Sequence, residues 1–161
     1  MPGVSAWNLI IGGAKMSDRV NGAVERFLNG YNCSQAVLCA FCDKYGLDEV
    51  TAFKLAEGFG LGMSGYKDEC GAVTGMFMIL GLANSDGKLS EGKTKLDTYA
   101  KIKEAGEEFK AQMESLMCRD LLRKERDMKA AATAEEIEAA KGKNLICIKC
   151  VKLAAEILDK R

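Results

Sequence analysis

From Gly71 to Ala83 the chain carries no charge, and apolar residues occupy every face of the stretch rather than one stripe. A helix that is apolar all round belongs in the middle of a domain. The stretch has 13 residues, too few for a bilayer, which needs about 20. The rest of the chain must pack around it, so the sequence predicts a helical bundle with a buried central helix at about 70–83. Gly71 and Gly75, four apart, share one face on which another backbone can approach closely. Immediately upstream lies Gly58-Phe59-Gly60-Leu61-Gly62-Met63-Ser64-Gly65, a run that cannot continue a helix cheaply. Cys70 therefore falls where a glycine-rich loop meets the first turn of the central helix. The free N–H groups and about half a positive charge of a helix start favour a thiolate over a thiol.

The flanking chain also reads as helix. Ser17 caps a segment running to about Asn29, with Val20, Val24, Phe27 and Leu28 at helical spacing. Asn32 with Gln35 forms a capping box that puts Cys33 at the first helical position. Ala36, Val37, Ala40 and Phe41 carry the buried face to about Tyr45, and Gly46 ends it. Asp48 caps a helix with Phe53, Leu55 and Ala56 on its apolar side, and Asn84-Ser85-Asp86-Gly87 is a turn. Leu89, Leu96, Tyr99, Ile102, Phe109 and Met113 predict one buried side of a long amphipathic stretch, with a break at Gly92 or Gly106. Ser115 reads as the cap of a helix with Cys118 at its third position. Thr133 with Glu136 is a second capping box. Asn144 caps a last helix, with Cys147 at its third position and Val151, Ala154, Ala155 and Leu158 packing. No segment alternates as a strand does, and the one proline is Pro2. The predicted fold class is all-α. Residues 1–15 hold no sustained period and read as an N-terminal extension to one domain at 16–161.

Composition narrows the chemistry. Lys plus Arg and Asp plus Glu both number 23, a formal charge of zero, which points to neither nucleic acid nor an anionic membrane as partner. There is no histidine. That removes Ser/His and Cys/His nucleophile pairs and every His-based metal site. Seven cysteines remain as the residues with soft-metal or redox chemistry. No positive segment precedes the mildly apolar stretch from Ala6 to Ala14, so the reading is a cytoplasmic protein with mostly reduced thiols.

Cys33, Cys70, Cys118 and Cys147 share one predicted setting, the first turn of a helix. There a thiol can ionise at about 3.5–7.5 rather than 8.5. Asp68 and Glu69 oppose this at Cys70, and Lys67 offsets part of that. The plainer alternative is that these cysteines pack as small apolar residues. Cys39 with Cys42 and Cys147 with Cys150 form two CxxC pairs, a possible zinc clamp. Both pairs lie within predicted helices and far apart in sequence, unlike a zinc module. The literal GxGxxG at Gly60, Gly62 and Gly65 follows a helix rather than the strand that dinucleotide binding requires. Its glycines read instead as letting the loop pass close to the cysteines or to the central helix.

Three elements occur together: Gly30-Tyr31-Asn32-Cys33-Ser34-Gln35-Ala36, Phe59-Gly60-Leu61-Gly62 and Cys70-Gly71-Ala72-Val73-Thr74-Gly75. Over roughly residues 16–161 the chain resembles the C_GCAxxG_C_C family, a group named for its cysteines and given a redox role because of them. By motif its four cysteines fall on Cys33, Cys70, Cys118 and Cys147, with Cys150 as a rival for the fourth place and Cys39 and Cys42 as extras. The chain departs from the pattern at Leu61, where the family often has another glycine. The resemblance implies redox chemistry, and related domains are associated with iron–sulfur clusters. Two readings of the four cysteines follow. In one, Cys70 is an accessible nucleophile and Cys33 its resolving partner in thiol–disulfide exchange. In the other, Cys33, Cys70, Cys118 and Cys147 ligate an iron–sulfur cluster or a structural metal, in an electron-transfer module. Either implies a redox partner. A helical interaction protein with structural cysteines is the non-catalytic alternative.

Overall fold

The computed structural model describes residues 16–89 and 93–161. The expected extension at 1–15 and the expected break at Gly92 lie outside the described residues. The fold is all-α. Among the described residues the one β feature is an isolated antiparallel bridge between Glu69 and Met117.

Helix α1 (Asp18–Leu28) starts at Ser17, whose hydroxyl accepts the N–H of Val20 at 3.3 Å. Helix α2 (Cys33–Phe41) begins with a reciprocal capping box. The Asn32 side chain accepts the Gln35 N–H and the Gln35 side chain accepts the Asn32 N–H, each at 2.9 Å. It passes into a 3₁₀ turn (Cys42–Tyr45) that Gly46 closes at φ 73°. Helix α3 (Glu49–Glu57) is capped by Asp48, which accepts the Thr51 N–H at 2.9 Å. Helix α4 (Gly71–Asn84) is the central element. After it come α5 (Lys93–Met113), α6 (Cys118–Arg123), α7 (Glu125–Ala131), α8 (Ala134–Ala139) and α9 (Leu145–Asp159).

Helix α4 packs against α2, α9 and α5, and α9 also covers α1 and α2. The side chains that close the core are Phe41, Met76, Ile79, Phe109, Ile148 and Ile157, all less than 2% exposed. Each such side chain contributes about 1.5–3 kcal/mol on leaving water. The buried part of α4 runs from Gly71 to Leu80, and its last turn emerges, with Leu82 40% exposed. No helix among the described residues is long and apolar enough to cross a membrane.

Three local expectations are corrected. Helix α5 runs unbroken through Gly106, and only part of the expected side turns inward. Phe109 is buried and Ile102 and Met113 pack partly buried against the core, joined by Ala105, whereas Leu89, Leu96 and Tyr99 are exposed. The cause is a close crossing: a Cβ built on Gly106 would stand 3.3 Å from the Phe77 ring, so small residues face α4 there. Leu55 on α3 is likewise exposed. The cap of α6 is Met117 rather than Ser115, so Cys118 is its first residue and not its third. Ser115 instead accepts the Met117 N–H at 3.0 Å and donates to Asp120 at 2.9 Å.

Candidate functional site: a cavity lined by five cysteines

Four helix starts meet at one place. Cys33 is the first residue of α2, Cys70 the N-cap of α4, Cys118 the first residue of α6 and Cys147 the third of α9. All four line one cavity of about 300 Å³, together with Cys150. Phe27, Tyr31, Leu61 and Leu121 supply apolar wall, and Lys143 is the cation among the lining residues.

Glycines make this convergence possible. A Cβ on Gly71 would lie 3.1 Å from the Cys33 Cβ, and one on Gly75 would lie 2.8 Å from the Ser34 carbonyl oxygen. These two positions let α4 and α2 touch backbone to backbone beside the site. A Cβ on Gly60 would sit 2.5 Å from Asn32, the cap of Cys33, and one on Gly62 would sit 2.6 Å from the Cys118 Cβ. A Cβ on Gly65 would meet Leu61 at an ordinary 4.0 Å, but its φ is 100°. The loop and the segment before α6 are then stitched together. Cys70 donates its N–H to the Leu116 carbonyl at 2.8 Å, and Cys118 donates its N–H to the Asp68 carbonyl at 2.6 Å.

The sulfurs fall into contacts the sequence did not pair. The sulfurs of Cys70 and Cys150 are interacting neighbours, and so are those of Cys33 and Cys147. Cys70 is the thiol whose pKa is lowered. The Cys150 donor is the largest cause, and the N–H groups of Ala72 and Val73 assist against burial and the Glu69 charge. Asp68, the other expected opponent, is paired with Arg119 at 3.1 Å. Cys33 and Cys150 are pushed well up by their sulfur partners and by burial. Burial, with the Cys70 and Cys147 charges, pushes Cys118 up to about 11.

Residues 31–161 match the family model described as Putative redox-active protein (C_GCAxxG_C_C). The chain belongs to this family. No curated protein and no solved structure matches it.

The C_GCAxxG_C_C pattern acquires a spatial meaning here. Cys33, Cys70, Cys118, Cys147 and Cys150 are brought to the cavity, while Cys39 and Cys42 are not among the lining residues. The Cys39 thiol lies 3.9 Å from the Glu49 carbonyl, and burial raises its pKa to about 12. The two CxxC pairs are thus separate, which removes the zinc-clamp arrangement. Among the described residues, no three Cys, Asp or Glu side chains come close enough together to hold a metal ion. The donor chemistry of the five thiols suits an all-cysteine cluster; the side chains are not drawn in around a single ion.

The expected free access to Cys70 is corrected: it is 5% exposed, and the half-buried thiols are Cys33 and Cys147. Cys70 is tied in by its N–H bond to Leu116 beside the Glu69–Met117 bridge, and Leu61 and Gly62 of the preceding turn line the same cavity. That turn, Gly60–Ser64, is left-handed: Leu61, Gly62 and Met63 have φ of 53°, 62° and 66°. Such a conformation costs roughly 1–2 kcal/mol for each non-glycine residue. A glycine in place of Leu61 would relieve that cost.

Cys150 was legible only as a rival for the fourth place. Its signal was the i,i+3 spacing from Cys147, which puts both sulfurs on one side of α9. Glu125 carried no such signal. Its carboxylate accepts the N–H groups of Leu145 and Ile146 at 3.0 and 2.9 Å, capping α9 in place of the Asn144 side chain. Glu125→Ala should lower stability by about 1–2 kcal/mol, the usual cost of a lost cap, and Glu125→Gln by less. Urea midpoints equal to that of the native protein in both variants would show that the cap is not needed.

Proposed function

We propose that the protein is a thiol–disulfide oxidoreductase whose nucleophile is Cys70 and whose resolving cysteine is Cys150. The observation that carries this reading is the convergence of Cys70 and Cys150 in one cavity, with Cys70 at the N-cap of the central helix. The reaction is balanced by the two residues alone. Cys70 thiolate attacks a disulfide R–S–S–R′, forming Cys70–S–S–R and releasing R′–S⁻. The Cys150 sulfur then attacks Cys70, R–S⁻ leaves, and the Cys150 proton goes to a released thiolate. Two electrons have passed to the substrate, and an external dithiol then reduces the Cys70–Cys150 disulfide back to the two thiols, becoming a disulfide itself.

The lowered pKa matters because the thiolate is the attacking species, and an ordinary cysteine is only a few per cent ionised at neutral pH. In single turnover of the reduced protein with a small aromatic disulfide, Cys70→Ser should slow thiol release by at least about tenfold. Cys150→Ser should instead stop at the mixed disulfide on Cys70. An unchanged rate in Cys70→Ser would overturn the assignment.

The five thiols facing one cavity also favour a second reading, an iron–sulfur cluster held by Cys33, Cys70, Cys118 and Cys147 or Cys150. Such a group would supply one-electron transfer. Stoichiometric iron and acid-labile sulfide in anaerobically purified protein would select it over thiol exchange.

A further inference from the structure

We infer that the cavity holds two dithiol couples in series: Cys70–Cys150, which meets a small disulfide inside it, and Cys33–Cys147, which exchanges with a protein dithiol at the surface. This rests on the thiol-exchange reading above and extends it to all four paired sulfurs. All four sulfur-bearing residues line the one cavity, and burial sorts them into an inner and an outer couple. The couples differ in exposure. Cys70 and Cys150 are 5% and 1% exposed, whereas Cys33 and Cys147 are both half-buried. A protein disulfide cannot bring its sulfurs to a residue so enclosed, but a small disulfide fits a cavity of about 300 Å³. A protein reductant therefore needs an outer station.

The couples adjoin on two sides. Cys147 and Cys150 are three apart on α9. Across the cavity, the Cys33 Cβ lies against Gly71, the residue after Cys70. Cys33 and Cys150 line the same cavity. The transfer between couples is written from these neighbours. The Cys33 sulfur attacks Cys150 in the Cys70–Cys150 disulfide, and Cys70 leaves as a thiolate. Cys147 then attacks Cys33, and Cys150 leaves and takes one of the two protons given up by Cys33 and Cys147. The other proton goes to solvent. Two electrons move inward, and a Cys33–Cys147 disulfide remains for a protein dithiol to reduce. Cys70, as the lower-pKa sulfur, is the better leaving group in the first exchange.

The test follows disulfide location in time. Reduced protein receives one equivalent of a small aromatic disulfide, is quenched with acid, alkylated and mapped by mass spectrometry. Cys70–Cys150 should appear first and Cys33–Cys147 should replace it at a rate independent of protein concentration. Cys147→Ser, with Cys147→Ala as a second variant should the first fold poorly, should accumulate a Cys33–Cys150 bond. Reduced thioredoxin, as the protein-dithiol probe, should reopen Cys33–Cys147 in the native protein. It should reduce the Cys70–Cys150 bond of a Cys33→Ser/Cys147→Ser variant at least about tenfold more slowly. A Cys70–Cys150 bond that persists in the native protein, or equal reduction of both bonds, would overturn the relay alone. No intramolecular disulfide between any of these sulfurs would overturn the thiol-exchange reading beneath it.

Discussion

Gly75→Ala is expected to destabilise the fold by about 2 kcal/mol, while Gly81→Ala, on the same helix, is expected to stabilise it. Alanine gains about 1 kcal/mol over glycine in a helix interior, so both positions start with the same benefit. At Gly75 the added methyl would lie 2.8 Å from the Ser34 carbonyl oxygen and 3.1 Å from the Val37 Cβ. The first of these atoms is backbone and cannot swing away. Helices α2 and α4 must part, and overpacking of this kind costs about 1–3 kcal/mol, occasionally more. The upper end of that range outweighs the helical gain. At Gly81 nothing lies within 4 Å, so the gain stands nearly alone. Urea unfolding of the two variants checks the sign of each. Gly75→Ala should also loosen the site, because Ser34 follows Cys33. Equal stabilisation by both substitutions would mean that α2 and α4 do not touch at this crossing.

Stability of the reduced, metal-free protein should fall steeply as pH rises above about 9. In the unfolded chain a thiol ionises at about 8.5. In the folded protein burial holds Cys39 up to about 12, and burial with the neighbouring sulfur charges holds Cys118 up to about 11. Between those limits the unfolded state has lost the proton and the native state keeps it, so stability declines with pH. The contribution is intact below the unfolded value and is lost as pH climbs toward the folded one. By pH 10 these two thiols together cost about 4 kcal/mol. Cys33, Cys42 and Cys150, also raised, add to the loss. Cys70 has the opposite sign, its stabilisation being gained as pH rises through its lowered value toward that of the unfolded chain. Urea midpoints measured from pH 7 to 10 should show the decline, with a shallower slope in Cys39→Ala. A flat profile would mean that these thiols are not enclosed.

What the sequence made legible was local. The capping boxes at Asn32–Gln35 and Thr133–Glu136 are each formed within four residues, and both are present. They fix helix starts, and through them the place of Cys33. The all-apolar run after Cys70 identified the central helix for the same reason. What stayed hidden depends on residues distant in sequence. The cap of α9 comes from Glu125, which is 20 residues from Leu145. The inward face of α5 is chosen by its crossing with Phe77, which favours Ala105 and Gly106 over Leu96 and Tyr99. The partner of Cys70 is Cys150, from the last helix, and chain order alone suggested Cys33. Cys70 is held beside the Glu69–Met117 bridge, which joins segments 48 residues apart, and the preceding left-handed turn holds Leu61 and Met63 where glycine would be preferred.

The nucleophile assignment can be read directly from the ultraviolet thiolate band of the reduced, metal-free protein as pH is raised. One thiol should ionise below the ordinary cysteine range, its step should vanish in Cys70→Ser, and Cys150→Ser should move it upward by removing the largest stabilising donor. A titration in which every thiol ionises at or above the ordinary value, unchanged by Cys70→Ser, would contradict the account.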